Sequence, residues 1–529
     1  MRLTTAAAYG LCLTLALAGC SGGSGTGGTG TAPVIEGGTF TLGLAQDPGA
    51  LDPQGGAGTS LFTVSQFAYD SLVSVDGKTG EVQSALAKSW DAKGTAVTLT
   101  LNEGITCSDG AALTASDVAA NINYVANPKN SSPFLGVFLP AGSKATGDDA
   151  SRVVTLTLAQ PSPFVLNGLA SLPIVCAGGM KNRAALSKTT SGTGPFTLVE
   201  VAPGDHYTYQ LRDGYTWGPN GATTATKGMP KTVVVKIVQN ETTAANLLLS
   251  GGLSASQILG PDAARLEKAG LFSATTPALV GEQWYNHAKG RVTEDPKVRL
   301  ALTQALDLPQ LQKVLTSGKG TAATTLADNV PIACPGDSIK SSLPASDPKA
   351  AGALLDQAGW TRGADGRRTK AGKPLTLTML YQTTGSGSDA AAELTVKQWK
   401  AVGVTATAKA QNETTLTGTL FGAGDWDVAW VPLHVNTPDQ LVPFLSGAAA
   451  PKGTNFAAIS DPVYDQAVKA AMAIPGTDGC KAWLDAESGL IARASIVPFA
   501  STNFRTFGKA AKFETPGGLV PTSIRMLAK

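Results

Sequence analysis

Apolar and polar residues alternate along several short runs of this chain, as they do in β-strands with one buried face. Alternation of this kind covers residues 39–44, 95–101, 152–158 and 375–380. Residues 232–238 instead form a nearly continuous run of β-branched residues, which is typical of a strand buried on both faces. These runs predict strands spread along the whole chain.

Helix signals stand between these runs. Asp295 followed by Pro296 predicts a sharply started helix, because an N-cap aspartate and a proline in the first turn suit that end. Thr114 and Asp117 form a capping box for a second helix, which should end at Asn127. A third helix, 389–401, lies between the strands 375–380 and 404–408 and predicts a parallel βαβ unit. The chain therefore belongs to the α/β class.

The composition and the motifs of the chain argue against several classes of function. With 41 Lys+Arg against 39 Asp+Glu among 529 residues the chain is nearly neutral, and it has no basic blocks, so we expect no nucleic-acid partner. A chain of this length predicts two or more domains. The sequence has no G-x-S-x-G, H-E-x-x-H or P-loop, and its three histidines are scattered. We therefore expect no enzyme, no cofactor and no metal site.

The N-terminus has the features of an exported lipoprotein. Residues 1–20 combine a weakly basic start with a short apolar core and end in Leu-Ala-Gly-Cys, which matches a bacterial lipobox with Cys20 as the lipidated residue. The apolar run is too short to span a bilayer about 30 Å thick. Residues 21–36 are rich in glycine and predict a flexible tether.

Of the six cysteines, Cys12 lies in the signal and Cys20 carries the lipid, so four remain in the mature chain. An even number in an exported protein favours disulfides, and the count alone leaves three pairings open. Zinc ligation is the alternative, but neither a C-x-x-C nor a pair of histidines is present.

Several segments, in order, resemble those of family 5 extracellular solute-binding proteins. Trp284-Tyr285-Asn286, followed by 295–299 and 305–307, is similar to the segment that links the two lobes in that family. The runs Leu113–Val118 and Gly192–Phe196 resemble two further signatures of the family, and the resemblance extends over about 38–510. The glycines of the second run also suggest a close backbone approach.

The resemblance implies a bilobal, periplasmic-binding-protein-like α/β fold (type II, cluster C) with an extra small subdomain. The expected divisions are a signal peptide (1–20), a tether (21–36), a first lobe in three pieces (37–75, 191–282 and 496–529), its small subdomain (76–190) and a second lobe (283–495). Cys107 and Cys176 fall in one of these blocks, and Cys334 and Cys480 fall in another, so we pair them in that way.

In relatives of this family, residues after the strand that ends at Trp430 line the ligand cleft. Peptide binders place a carboxylate there for the peptide α-ammonium, whereas this chain has Leu433, His434 or Asn436. A buried ammonium without a partner is poorly held, so the resemblance implies a solute-binding protein more firmly than a peptide-binding one. The remaining candidate ligand residues are an aromatic wall and one acid, each of which has a structural alternative in the core or in a turn: Trp430, Tyr381, Trp284, Tyr285 and Asp47.

The function implied is that of a monomeric substrate-binding lipoprotein on the outer face of a bacterial cell membrane. It would capture a peptide or other small solute and deliver it to an ABC permease with its ATPases. A non-peptide solute, a cell-surface sensor and a lipid-anchored hydrolase remain as alternatives.

Overall fold

The structure is a computed structural model that describes residues 32–56, 58–382 and 387–528. Cys20 and most of the predicted tether lie outside these residues. The strands are β1 Thr39–Leu44, β2 Val73–Val75, β3 Val82–Ser84, β4 Ala87–Lys93, β5 Ala96–Leu101, β6 Lys144–Asp148, β7 Val153–Thr157, β8 Phe196–Ala202, β9 His206–Leu211, β10 Thr232–Ile237, β11 Ala255–Gln257, β12 Phe272–Tyr285, β13 Thr361–Arg362, β14 Arg368–Lys370, β15 Lys373–Pro374, β16 Thr376–Gln382, β17 Thr405–Gln411, β18 Val428–Trp430, β19 Ile496–Gly508, β20 Ala511–Lys512 and β21 Arg525–Met526.

The helices follow the capping signals of the sequence. They are α1 Thr59–Ala68, α2 Ala115–Ala126, α3 Val165–Ala170, α4 Ala177–Lys181, α5 Glu241–Ser250, α6 Asp262–Lys268, α7 Pro296–Gln304, α8 Leu308–Leu315, α9 Pro348–Gln357, α10 Gly387–Ala401, α11 Glu413–Gly418, α12 Val442–Leu445, α13 Pro462–Met472 and α14 Cys480–Ala492. Asp295 caps α7 through the backbone N–H of Lys297, and Thr114 with Asp117 forms the predicted capping box of α2.

One ten-stranded sheet runs through the molecule in the order β17-β16-β18-β12-β19-β11-β1-β10-β9-β8. Its β1, β8, β9, β10 and β11 side, with α1, α5 and α6, is the first lobe. Its β16, β17 and β18 side, with α7 to α14, is the second lobe. Each lobe contains parallel pairs, β1 with β10 and β16 with β17, and the second of these confirms the predicted βαβ unit.

The long antiparallel pair β12 and β19 belongs to both lobes. At one end β19 pairs with β11 of the first lobe, and at the other end β12 pairs with β18 of the second. The register of the pair shifts on both sides of Gly281, where an added Cβ would lie 2.7 Å from Ala500 and from the Phe499 ring. We call β12 and β19 the hinge strands.

The small subdomain has its own antiparallel sheet, β4-β5-β7-β6, covered by α2. Leu99, Val118, Ile122 and Val154 are buried together in its core. The Cys107–Cys176 disulfide lies in this core, and the Cys334–Cys480 disulfide lies in the second lobe, which confirms both predicted pairs.

Two further details bear on the sequence predictions. An added Cβ at Gly192 or Gly194 would lie within 2.4 Å of the Ala68 backbone, which confirms the close approach expected of that glycine-rich run. The predicted tether ends earlier than residue 36, because Pro33 O and Ile35 N bond to the backbone of Ala528 and Met526.

Across the part of the chain that the structure describes, we find no helix that combines the length and the apolar character needed to cross a bilayer.

Candidate functional site

The boundary between the two lobes is formed by the carboxyl ends of their parallel strands. β1 and β10 of the first lobe end at Leu44 and Ile237, and β16 and β17 of the second lobe end at Gln382 and Gln411. In open α/β sheets, ligands bind in the crevice outside these ends. A binding site is therefore expected among the loops that follow these strands.

The two lobes touch across this boundary. The backbone N–H of Thr59, at the start of α1, donates to the Glu413 carboxylate at the start of α11, with an N···O distance of 3.2 Å. α1 has no side-chain cap of its own, and its first turn contains no acidic residue. Glu413 of the second lobe thus supplies the negative charge that the N-terminus of a helix favours.

Two hollows lie on the boundary. The hinge hollow, of about 60 Å³, is bordered by residues of both hinge strands and both lobes, among them Leu259, Val280, Lys319, Gly387, Thr502 and Arg505. The distal pocket, of about 350 Å³, lies between the small subdomain and the second lobe, and its borders include Phe138, Phe164, Asp439, Gln440, Pro443 and Val468. The distal pocket has the size of a small-molecule site.

His434 lies beside the hinge strands, held by an ion pair and an aromatic contact. Its Nδ1 is 3.0 Å from Asp328 Oδ2, and its ring meets the edge of Phe504 at 6.2 Å between centroids. Asp328 also accepts a short hydrogen bond from the Leu279 backbone N–H. Burial lowers the pKa of His434, but the hydrogen bond and the charge of Asp328 outweigh burial and raise it.

Two further carboxyl groups are buried close to this pair. Glu282, on β12, is 0 % exposed; its Oε2 accepts from the Leu433 N–H at 2.9 Å, while its Oε1 has no hydrogen-bond partner among the described residues. Burial raises the pKa of Glu282 well above its usual range and raises that of Glu487 to about 7. Sequence reasoning missed both acids, since nothing local marks them as buried.

All four residues of the predicted aromatic wall lie in the core, Tyr381 with 8 % of its surface exposed. Trp284 and Tyr285 are 0 % exposed and Trp430 is 4 % exposed. Trp430 Nε1 donates to Gln283 Oε1 at 3.0 Å, and the Tyr285 hydroxyl is 2.9 Å from that of Thr303. These rings fix the ends of β12 and β18 rather than presenting a free face.

Tyr381 of β16 pairs in register with Trp430 of β18, whereas Asp47 lies in the first lobe. The Tyr381 hydroxyl donates to Asp389 at 2.8 Å, and burial, assisted by that carboxylate, raises the pKa of Tyr381 to about 12. Asp47 accepts from the Tyr207 hydroxyl and the Gly204 N–H within the first lobe, which matches its structural alternative. The Asn436 backbone N–H donates to Gln440 Oε1, which places Asn436 near the distal pocket.

In the described ranges, no group of three or more His, Cys, Asp or Glu side chains is arranged to hold a metal ion.

Comparison with known proteins agrees with this architecture. Residues 81–453 match the middle region of the bacterial extracellular solute-binding proteins, family 5. The chain is 28 % identical over 366 residues to protein XP55 of Streptomyces lividans, covering 66 % of this chain and 64 % of that one. It is 28 % identical over 326 residues to the glutathione-binding protein GsiB of Escherichia coli K12, covering 59 % and 60 %. The chain thus spans 60–64 % of the length of these curated relatives.

Solved structures extend the match to nearly the whole chain. A substrate-binding protein from Microbacterium hydrocarbonoxydans complexed with 4-hydroxybenzoate hydrazide has a TM-score of 0.77 at 25 % identity, covering 92 % of this chain and 99 % of that one. The oligopeptide-binding protein AppA of Bacillus subtilis, in complex with a nonapeptide, also has a TM-score of 0.77, at 19 % identity, covering 94 % and 100 %. The predicted bilobal α/β fold is confirmed, and the chain belongs to the family 5 bacterial extracellular solute-binding proteins.

Proposed function

We propose that this chain is the solute-binding component of an ABC importer, and that it captures a small organic solute between its lobes. The observation that supports this most is the pair of hinge strands joining two lobes that also touch across the boundary, through Glu413 and Thr59. A contact of this kind exists only while the lobes are together. Opening at the hinge would break it and expose the boundary to solvent.

The mechanism that we propose is a shift of population between open and closed forms. A solute that contacts both lobes binds the closed form more tightly, and it shifts the equilibrium by that difference in affinity. The contact between Glu413 and the α1 N-terminus is partly exposed, and such charge–helix contacts contribute about 0.3–1 kcal/mol. The chain's own contact is therefore weak, which leaves the solute to decide the position of the equilibrium.

The class of solute that we favour follows from the residues near the position where peptide binders hold the ligand ammonium. By the family resemblance, Leu433, His434 or Asn436 stands where peptide binders place a carboxylate, and His434 already pairs with Asp328. We therefore favour a solute without a free ammonium at that point. The relatives named above bind glutathione, a nonapeptide and an aromatic hydrazide; of these, the aromatic hydrazide fits this reasoning best.

We further propose that Cys20 is lipidated, so that the mature chain is held at the outer face of the cell membrane as a monomer. From there the closed form would be presented to a membrane permease and its ATPases. The lipobox in residues 17–20 supports the anchor. No catalytic role is proposed, since the family is one of binding proteins.

The test is native mass spectrometry of the delipidated mature chain purified from its own cells, followed by small-angle scattering with the released solute. We expect a mass adduct that is lost on denaturation, and a smaller radius of gyration when the solute is returned. A chain with no adduct, and with scattering that stays constant across a broad panel of nutrients, would contradict the proposal.

A further inference from the structure

The distal pocket is mostly apolar, with walls that come from two separate parts of the molecule. Phe138, Phe164 and Val165 border it from the small subdomain, and Pro443, Val468 and Met472 border it from the second lobe. Any group that fills the pocket therefore bridges the small subdomain and the second lobe. Its binding would favour the closed form, because only that form brings the two walls together.

The distal pocket is too large to be a packing defect. Protein interiors are packed as densely as organic crystals and contain few voids larger than a water molecule. An apolar cavity of about 150 Å³ already suffices to bind benzene, and the distal pocket measures about 350 Å³. A group of one or two rings fits this volume.

The polar groups at the pocket limit the chemistry of its occupant. Gln440 is 1 % exposed; its Oε1 accepts the Asn436 N–H at 3.2 Å, and its Nε2 finds no partner in the described part of the chain. A buried donor without an acceptor is unfavourable. The occupant is therefore expected to bring a hydrogen-bond acceptor.

Asp439 is the acid at the pocket border, and it is already partly satisfied. Its Oδ1 accepts the Thr437 hydroxyl at 2.5 Å. Burial raises the pKa of Asp439 to about 6, although the hydrogen bonds to its carboxylate oppose that rise. Below that pH the carboxyl is neutral and offers a cationic occupant no partner.

We propose that the distal pocket binds an uncharged aromatic or branched apolar group of the transported solute, with a carbonyl-type acceptor placed against Gln440 Nε2. This rests on the proposed function and names the solute class: neutral, amphipathic organic molecules rather than peptides held by their ammonium. Gln440 is the specificity residue, because it separates rings with an acceptor from rings without one.

Three probes of similar size test this on the full mature chain at pH 5, where Asp439 is neutral, by isothermal titration and saturation-transfer NMR. Benzamide carries a ring and an acceptor, ethylbenzene carries only the ring, and benzylammonium carries a cation. We expect benzamide to bind about tenfold more tightly than ethylbenzene, as one hydrogen bond to a buried donor implies. Benzylammonium should bind most weakly.

Two variants locate the binding. Gln440→Met removes the donor at similar volume and should abolish the preference for benzamide over ethylbenzene. Ala159→Trp fills the pocket from its exposed rim, and it should weaken both neutral probes by more than about tenfold, since their volume is taken. Circular dichroism of both variants checks their fold.

Several results would overturn the proposal: no binding of either neutral probe, tighter binding of benzylammonium than of benzamide, or benzamide binding that neither variant changes. The proposed function fails differently. If the natural solute closes the lobes and both variants bind it like the parent chain, solute capture stands and the distal pocket is excluded. If no solute closes the lobes at all, the proposed function itself is wrong.

Discussion

The hinge end and the distal end of the lobe boundary are lined by different kinds of side chain. At the hinge, little free space remains, and ionisable side chains gather: His434 with Asp328, the buried Glu282 and, close to it, Glu487. The distal end has a pocket about six times larger, with mainly apolar walls and the Gln440 amide, whose Nε2 has no partner among the residues that the structure describes. Polar contacts therefore define the hinge, whereas the larger free volume lies where charged side chains are few.

The largest expected effect concerns a buried acid near the hinge. The pKa of Glu487 is raised to about 7 by burial, so its stabilising neutral form is fully present below about pH 4.5 and is lost as pH rises through about 7. Glu487→Gln can keep the bonds from Ser338 and Leu326 without the charge. We expect the variant to be more stable at pH 8 by up to about 3 kcal/mol in urea denaturation.

The same variant should match the parent chain at pH 4.5, which serves as the internal control. Equal stability of the two proteins at both pH values would show that burial does not raise the pKa of the Glu487 carboxyl. The hinge end would then not differ from the distal end in its electrostatics.

Adding volume at each end gives a matched pair of variants. Gly281→Val places atoms against Ala500 and the Phe499 ring, which an added Cβ would already approach to 2.7 Å, and should cost about 2–3 kcal/mol of unfolding free energy. Ala159→Trp at the distal pocket should change stability by less than about 0.5 kcal/mol.

Gly418→Ala is the control for adding a methyl group to a glycine of the second lobe, because the added Cβ meets no atom of the described residues within 4 Å. Differential scanning calorimetry checks all three variants. Equal losses for Gly281→Val and Ala159→Trp would mean that the distal pocket is no more open than the hinge.

His434 provides a smaller, pH-dependent effect. Asp328 raises its folded pKa, so the stability from this pair is fully present below the unfolded value, about 6.5, and is lost as pH rises through the folded value. His434→Gln should therefore be less stable than the parent chain at pH 5.5. The difference should stay under about 1 kcal/mol, because His434 is partly exposed.

Denaturation curves at pH 5.5 and 9 check this prediction. The stability difference between His434→Gln and the parent chain should shrink from pH 5.5 to pH 9, and a difference that grows instead would have the wrong sign for an ion pair with Asp328.

The smallest effect concerns the contact across the boundary. Glu413→Ala removes the carboxylate at the N-terminus of α1, and the affinity for a captured solute should fall by about two- to fivefold, because the closed form loses one weak contact. The exposed Glu393 of α10 provides the control, Glu393→Ala. Titration calorimetry distinguishes the two, and equal affinities would remove any role for Glu413 in closure.

The sequence predicted the fold well where local signals are strong. Asp295 and the Thr114 box start their helices as expected, and each disulfide joins cysteines of one block. Boundaries such as 282/283 and 495/496 remain predictions, since the hinge strands run through or next to them.

The site was harder to predict because its partners are distant in sequence. Trp284 and Trp430 are large rings at strand ends, and only the pairing of β12 with β18 and β19 shows that they are covered. Glu282 bonds to Leu433, which lies 151 positions away, and no local pattern reports such a contact. Gln440 gave no signal either, because a glutamine in a short helical turn is usually solvated.

The most direct test of two-lobe capture is a distance measurement between the lobes. Val199 on β8 and Val463 at the start of α13 are 55 % and 63 % exposed, and cysteines introduced there can carry spin labels, since the four native cysteines of the described chain are disulfide-bonded. Pulsed electron resonance should give a longer, broader distance distribution without solute and a single shorter one with it. A distribution that does not change while calorimetry records saturating binding would contradict capture between two moving lobes.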